Sequence, residues 1–429
     1  MPASQSNSLA ALKELYTGES FMKDLVYKKN PFYAVVPKDE SPDGLAGKYI
    51  PVPLQYSYPA GRSATFADAQ ANERQADLAS FFVYRVANYG VARIANDLIE
   101  ATRGNAGAFV DAAKLQVDGA IRNLANDIAL GLFGTGDGSR GRISTFSSSG
   151  AGASGTVIVL TDANDVVNFE VGMVLVASLT AGGAVSDDTM TVTRVDRVTG
   201  TLTGTLSDGT ADTEWAADSY LSVDGDVIVA GGSTSTGAND GTGYLKITGL
   251  SGWLPTAVPG TDSFWGVNRS NDRTRLAGNY FDGSAESVEE ALIDGTVRVA
   301  REGGEPDMAF CTFQTWAALE KELGAKVQYV SVKHDTADIA FKGLTVNAPY
   351  GPVTVIPDRS CTSRTIYCLT MESWKLRSLG KCPHILTYGK EGLEGARVDT
   401  ADSLEVRVGM YGNLTCNAPG WNIRIATSV

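Results

Sequence analysis

Histidine is nearly absent from this chain. The 429 residues contain two, His334 and His384, about fifty residues apart and both in polar surroundings. Neither has local partners for a metal site or for a Ser-His-Asp arrangement, so neither role is expected. Cysteine is also scarce: Cys311, Cys361, Cys368, Cys382 and Cys416 are an odd number with no C-x-x-C pair. That excludes a disulfide framework and a zinc site and leaves buried free thiols as the expectation. No run of about 18 apolar residues occurs, so no membrane-crossing helix is expected. The N-terminal stretch "MPASQSNSLAALKELYTGESF" has neither the basic flank nor the apolar core of a signal peptide, so the expectation is a soluble protein made in the cytoplasm.

Catalytic and nucleotide-binding motifs are missing as well. G-x-x-x-x-G-K-[ST], G-x-S-x-G and H-E-x-x-H do not occur, and each would be needed for the chemistry it names. "GAGASG" at 150–155 matches G-x-G-x-x-G in letters, but serines precede it and the strand-like "TVIVL" follows. A dinucleotide site requires a strand before and a helix after, so that the helix N-terminus meets the pyrophosphate. Clustered carboxylates at Asp187-Asp188 and Asp224-Gly225-Asp226 lack the spacing of a calcium loop and read as a solvated acidic face. No catalytic residue, cofactor or metal is assigned.

Positive charge is short in one segment. The net charge is -13, and Gly150 to Pro255 holds thirteen acids against three bases, Arg194, Arg197 and Lys246. This segment carries most of the imbalance, and a step of that size marks a domain boundary. Neither part shows the basic stripe that phosphate binding by counterion release requires, so sequence-specific nucleic-acid recognition is not expected.

What is present begins with "FVDAAKLQVDGAIRNLANDIALGLFG", Phe109 to Gly134. Val117, Ile121, Leu124, Ile128 and Leu132 recur at helical spacing and make one narrow apolar stripe on a helix roughly 40 Å long. Polar residues fill the rest of its circumference, as on a helix lying across a surface. Gly119 and Gly131 weaken a helix and suggest places where another backbone comes close.

Before it lie a short amphipathic helix from Ser8 and two strand-like runs, Lys48 to Tyr58 and Phe81 to Ile94, around a centre rich in Pro, Gly and charge. This reads as a long hairpin with too little apolar surface to stand alone. After the helix, Gly134 to Gly155 reads as a linker. Short β-branched runs then suggest a small barrel or sandwich, and Ala230 to Gly243 is a second flexible stretch. Further on, Ser287 with Glu290 forms a capping box for a helix ending at Gly303-Gly304. Thr312 caps a second helix that stops at Gly324, with Phe313, Trp316, Leu319 and Leu323 facing inward. The remaining runs read as strands, and the order of elements gives an α+β body.

This order resembles the major capsid (coat) proteins of tailed bacteriophages, which share the HK97 fold. The segment "KKNPFYAVVPKDESPDGLAGKYIPVPLQYSYPAGRSATF" (Lys28 to Phe66) is similar to the stretch leading into that family's extended loop, or E-loop. The helix from Phe109 matches its spine helix. "EPDMAFCTFQTWAALEKEL" (Glu305 to Leu323) looks like the strand-helix unit that leads into its axial domain, followed by strands in "GLTVNAPYGPVTVIPD" and "YCLTMESW". The resemblance implies an N-terminal arm over 1–47, an E-loop hairpin over 48–94 and a peripheral domain with the spine helix over 95–149. An acidic all-β domain is inserted over 150–255. The peripheral domain continues over 256–305, an axial domain covers 306–395, and strands return to the main body over 396–429.

The function implied is a structural one, a shell subunit and not an enzyme, found in the virion and assembled in the host bacterial cytoplasm. Its partners would be itself, as hexamers and pentamers of an icosahedral shell, and enclosed double-stranded DNA without sequence-specific contacts. A separate scaffolding protein, a portal and decoration proteins would complete the list, and no membrane. The hairpin tip would lie on an adjacent subunit, with Phe66 as its apolar anchor and Arg62 and Arg74 paired with acids across the contact. An encapsulin-type compartment shell is the alternative within the same fold, and a β-rich surface or glycan-binding protein is the alternative outside it.

Overall fold

The computed structural model describes residues 30–40, 49–95, 106–148, 155–207, 212–227, 245–324, 329–334, 337–386, 396–397 and 402–429. The helix expected from Ser8, all of "GAGASG" but Gly155, and the glycine-rich stretch 230–243 lie outside the described residues.

The chain enters at α1 (Pro31–Val35), whose five residues are all buried. The Phe32 ring meets Phe133 and Phe310 at 5.2 and 5.0 Å, and its N–H donates to Asp358 Oδ2 at 3.0 Å. After the two-residue strand β1 (Lys38–Asp39) comes the expected hairpin. Its strands are β2 (Tyr49–Gln55) and β3 (Leu78–Tyr84), antiparallel from Tyr49↔Tyr84 to Gln55↔Leu78, with the short helix α2 (Phe66–Ala71) at the tip. The second strand-like run, 81–94, is not one strand. It breaks at Arg85, and β4 (Val86–Ala95) leaves the hairpin to pair with a later strand. The inward positions slip by one residue there, from Phe81 and Val83 to Val86, Asn88, Ala92 and Ile94, so the two runs present opposite faces and cannot continue as one strand.

The spine helix α3 spans Ala106–Phe133. Val117, Ile121, Leu124, Ile128 and Leu132 are each at most 4% exposed and pack into the main core with the hairpin base and the rings of Trp253 and Trp374. The glycines on the helix do not admit a backbone. A Cβ on Gly119 would meet nothing within 4 Å, and on Gly131 only the Ile247 side chain at 3.5 Å. The close approaches lie on the partner elements: Gly90 of β4, whose Cβ would come within 3.3 Å of Ala120 O, and Gly249, whose Cβ would strike Leu132 O at 2.2 Å. Contact is therefore made by removing side chains from what packs on the helix.

Six strands then form a closed antiparallel barrel: β5 (Ser139–Ser147), β6 (Thr156–Leu160), β7 (Val174–Ser178), β8 (Met190–Asp196), β9 (Thr201–Leu206) and β10 (Tyr220–Val223), in the order β10-β5-β6-β9-β8-β7. Closure leaves no free edge. Ile143, Ile158, Leu175, Met190, Leu202 and Leu221 fill the interior. The stretch 134–155, expected to be a linker, contains β5. Gly141 and Ile143 point inward and Arg142 outward, a period-two pattern that the surrounding Ser and Gly dilute. Gly141 also lets the Phe169 ring approach to 3.3 Å of where a Cβ would stand.

The chain returns through α4 (Leu250–Trp253), the small ribbon β11 (Ser263–Phe264) and β12 (Val267–Asn268), and α5 (Arg273–Ala277). A seven-stranded mixed sheet follows. It uses β13 (Asn279–Gly283), β14 (Met308–Cys311), β15 (Tyr329–His334), β16 (Ala337–Ala348), β17 (Gly351–Pro357), β18 (Thr365–Leu369) and β23 (Ile423–Thr427), ordered β13-β23-β18-β14-β17-β16-β15. Helices α6 (Val288–Arg301) and α7 (Phe313–Leu323) cover one face with Val288, Leu292, Val299, Leu319 and Leu323, against Cys311, Val355, Ile366, Cys368 and Ile425. On the other face Phe310, Ile356, Tyr367 and Leu369 join the main core. All five residues of β18 are buried, as a strand covered on both faces requires. A second, six-stranded sheet is built on the long β22 (Ser403–Cys416), which pairs with β4, β19 (Trp374–Ser378), β20 (His384–Ile385) and β21 (Ala396–Arg397), while β1 adds to β19.

The capping box of Ser287 and Glu290 opens α6, and Thr312 caps α7, which Gly324 ends at a φ of +50°. Phe313 does not face inward; it is 58% exposed. In its place Thr315 is buried and donates its hydroxyl to Val429 O at 2.7 Å. Phe313 is the first residue of α7, and the buried residues of the helix are Thr315, Leu319 and Leu323, so the inward stripe runs through Thr315 and not through Phe313.

Candidate assembly surface

The hairpin has two halves of different character. At its base Ile50 and Val52 on β2, and Phe81 and Val83 on β3, are at most 3% exposed and belong to the main core. Pro51 and Pro53 are tolerated because they alternate with these inward residues on a ribbon of only two strands. Tyr56 still packs half-buried against the main core, and over 57–77 no residue is buried.

The tip is nevertheless ordered by its own polar bonds. Ser57 Oγ donates to Asp77 Oδ2 at 3.0 Å and accepts from Asp77 N at 2.8 Å. Ala60 pairs with Arg74 through the backbone. The Thr65 hydroxyl caps α2 by accepting from Asp68 N and donating to Asp68 Oδ2 at 2.6 Å. Arg275 of α5 holds the root, donating to Tyr56 O at 2.6 Å and lying 5.6 Å from the Tyr58 ring. Phe66 is 83% exposed, and Arg62 and Arg74 are exposed with it. Covering Phe66 would be worth about 1.5–3 kcal/mol.

The barrel is fastened where the chain leaves and re-enters the body. Lys246 Nζ lies 2.8 Å from Asp127, 2.7 Å from Asp226 and 3.1 Å from Asn88 Oδ1. Arg140 bonds both Asp127 and Asp226, the latter at 3.3 Å. Two acids and two bases, from the spine helix, the first barrel strand and the returning chain, thus balance in a half-dry junction. Asp226 of the "DGD" group is therefore paired with cations, and Asp187 and Asp188 donate their N–H groups to Asp212 Oδ2 at 2.9 and 3.1 Å. Among the described residues no group of three or more His, Cys, Asp or Glu is placed to hold a metal. All five cysteines are buried free thiols, and burial pushes Cys368, Cys382 and Cys416 up to about 12, far from a reactive thiolate.

A spine helix crossing the body, an exposed hairpin, a helix-covered sheet and a β unit mounted at the helix C-terminus together give the HK97-like capsid fold. The comparisons with known proteins bear on the particular kind. Residues 223–396 match the family model described as SU10 major capsid protein. A subunit of the cyanophage A-1(L) capsid superposes with a TM-score of 0.50 at 10% identity, covering 96% of this chain and 93% of that one. The capsid subunit of a native GTA particle gives 0.42 at 8% identity over 93% and 90% of the two chains. The SrpI encapsulin of Synechococcus elongatus PCC 7942 gives 0.24 at 12% identity over 35% and 52%. No curated protein matches. The chain has the fold of tailed-phage major capsid proteins, and its central part carries the sequence pattern of one such family.

Proposed function

We propose that this protein is the major capsid protein of a tailed bacteriophage, assembling with itself as hexamers and pentamers into the icosahedral shell around a double-stranded DNA genome. The observation that carries this is the hairpin tip, ordered over 57–77 with no residue buried in its own subunit, on a chain with the capsid fold. Phe66 is the apolar anchor of that contact, with Arg62 and Arg74 as its cationic partners. The spine-helix stripe from Val117 to Leu132 makes the body stiff enough to transmit it. The role is structural, without a catalytic step, metal or cofactor. The remaining partners on this reading are a separate scaffolding protein, a portal and decoration proteins, with assembly in the host bacterial cytoplasm. Shells repeat one set of contacts under symmetry, so modest interfaces suffice for a stable particle. Negative-stain microscopy of the purified protein, alone and co-expressed with a scaffolding protein, tests the reading. Closed particles of uniform diameter are expected, and monomers under both conditions contradict it.

A further inference from the structure

Beneath the barrel a cavity of about 520 Å³ opens between the end of α3, β5, the 3-10 turn Ala163–Asn168 and the start of α7. Its walls are joined by two hydrogen bonds between the Asn164 and Gln314 side chains, 2.9 and 2.7 Å, and by Arg359 donating to Val167 O at 2.8 Å. Leu130, Phe133, Val166 and the exposed ring of Phe313 give it a mainly apolar lining. Volume and lining are those of a small-molecule site, and the charges around it decide which end group fits.

Four guanidiniums, of Arg140, Arg142, Arg197 and Arg359, line the cavity together with the carboxyls of Asp165 and Asp358. Three of the four are matched by acids outside it: Arg140 by Asp127 and Asp226, Arg142 by Asp218 at 3.2 Å, and Arg197 by Glu170 at 2.9 Å. Lys246 shares the first two acids, so that junction balances. Arg359 has no acid. Among the described residues its guanidinium donates only to Val167 O. Neither carboxyl of the lining answers it: Asp358 is fully buried and accepts from Phe32 N and Ser360 N, and the Asp165 carboxyl has no ion or hydrogen-bond partner among the described residues. Burial, with Asp162 nearby, raises Asp165 to about 7, so near neutral pH it carries a proton that it can donate. A cation would meet four guanidiniums here, and a multiply charged anion would exceed the single unmatched one.

We propose that the cavity binds an apolar monocarboxylate, a small molecule with a hydrocarbon body and one acid end group. Its carboxylate lies on the Arg359 guanidinium and accepts a hydrogen bond from the Asp165 carboxyl, and its body packs against Leu130, Phe133, Val166 and Phe313. Barrel and body both supply walls, so the ligand also bridges the two. The site is independent of the shell reading, and either can fail without the other.

Calorimetric titration of the full chain with decanoate, and separately with decylamine, tests the site. Decanoate should bind at one site per chain and decylamine at least about tenfold more weakly; no binding of decanoate at about 1 mM, or equal binding of the two, overturns the proposal. Arg359 is exposed, so Arg359→Gln should keep the thermal unfolding of wild type and lower decanoate affinity about tenfold, as the loss of a charge-assisted bond requires. Unchanged affinity overturns the placement of the carboxylate. Asp165 must keep its proton beside the bound anion, so wild-type affinity should fall about tenfold from about pH 6 to about pH 8. Asp165→Asn should bind equally at both. Asp162, Asp358 and the four arginines are common to the two proteins, so the difference in slope reads Asp165, and equal slopes overturn its role as the donor.

Discussion

Asp358 is fully buried, accepting from Phe32 N at 3.0 Å and from Ser360 N at 2.8 Å, and it ties the entering chain to the seven-stranded sheet. Burial raises its carboxyl from 3.8 to about 6 despite those bonds. The folded state therefore holds this proton to higher pH than the unfolded state, and the associated stability is present below about 4 and lost as pH rises through about 6. Relative to Asp358→Asn, wild type should lose about 3 kcal/mol across that window, from the size of the shift; urea unfolding of both proteins at several pH values would show it. A parallel slope for the two would contradict it. At the barrel mount, Asp127→Ala leaves Arg140 and Lys246 sharing Asp226, and should cost about 3 kcal/mol of unfolding free energy. A loss below about 0.5 kcal/mol would show the junction to be solvated like a surface pair. The stripe residues and both caps were legible in the sequence because each rests on local spacing. The roles of Gly90, Gly249 and Phe313 were not, because each depends on what an element distant in sequence places beside it.

The hairpin and the barrel are the two elements whose removal should separate folding from assembly. The β2–β3 ladder ends at Gln55↔Leu78, and beyond the half-buried Tyr56 no residue of the tip packs into the core. Replacing Pro59 to Asp77 by an Asn-Gly turn, which suits a two-residue connection, should leave a folded subunit with a Tm within about 2 °C of wild type and no particles. Circular dichroism and sedimentation read the two outcomes; loss of folding would place the tip in its own core. The barrel needs a different cut from the one its composition suggests. Replacing Ser154 to Leu250 would leave β5 without partners, an open edge prone to aggregation. Ser139 and Ser222 face each other across β5 and β10, so replacing residues 139–226 by a short Gly/Ser linker removes the barrel at its stem and leaves the Asp127–Lys246 pair. That variant should stay soluble with its helical far-UV signal, while the longer excision precipitates. Barrel strands were visible as β-branched runs, but the first was hidden by the serines and glycines around it, and the switch of β4 between sheets shows only as a one-residue slip in phase at Arg85.

For the molecule as a whole, charge and shape point the same way. The net charge of -13 is concentrated in the segment that forms most of the barrel, and no basic stripe balances it. Binding to duplex DNA should therefore be weak, lost by about 0.2 M salt and without sequence preference in a filter or anisotropy assay; nanomolar binding at about 0.15 M salt would revive a nucleic-acid function. The order arm, hairpin, spine helix, β unit, α+β body was enough to suggest the capsid fold. The mixed seven-stranded order, with β23 between β13 and β18, was beyond the sequence because it joins residues near the C-terminus to strands more than fifty residues earlier. The central claim is that the exposed tip is completed by another copy of the chain. A cryo-electron-microscopy reconstruction of the assembled particle tests it most directly: residues 56–77 of each subunit should lie on an adjacent subunit with Phe66 covered, and tips that point into solvent or fold back on their own subunit would contradict the account.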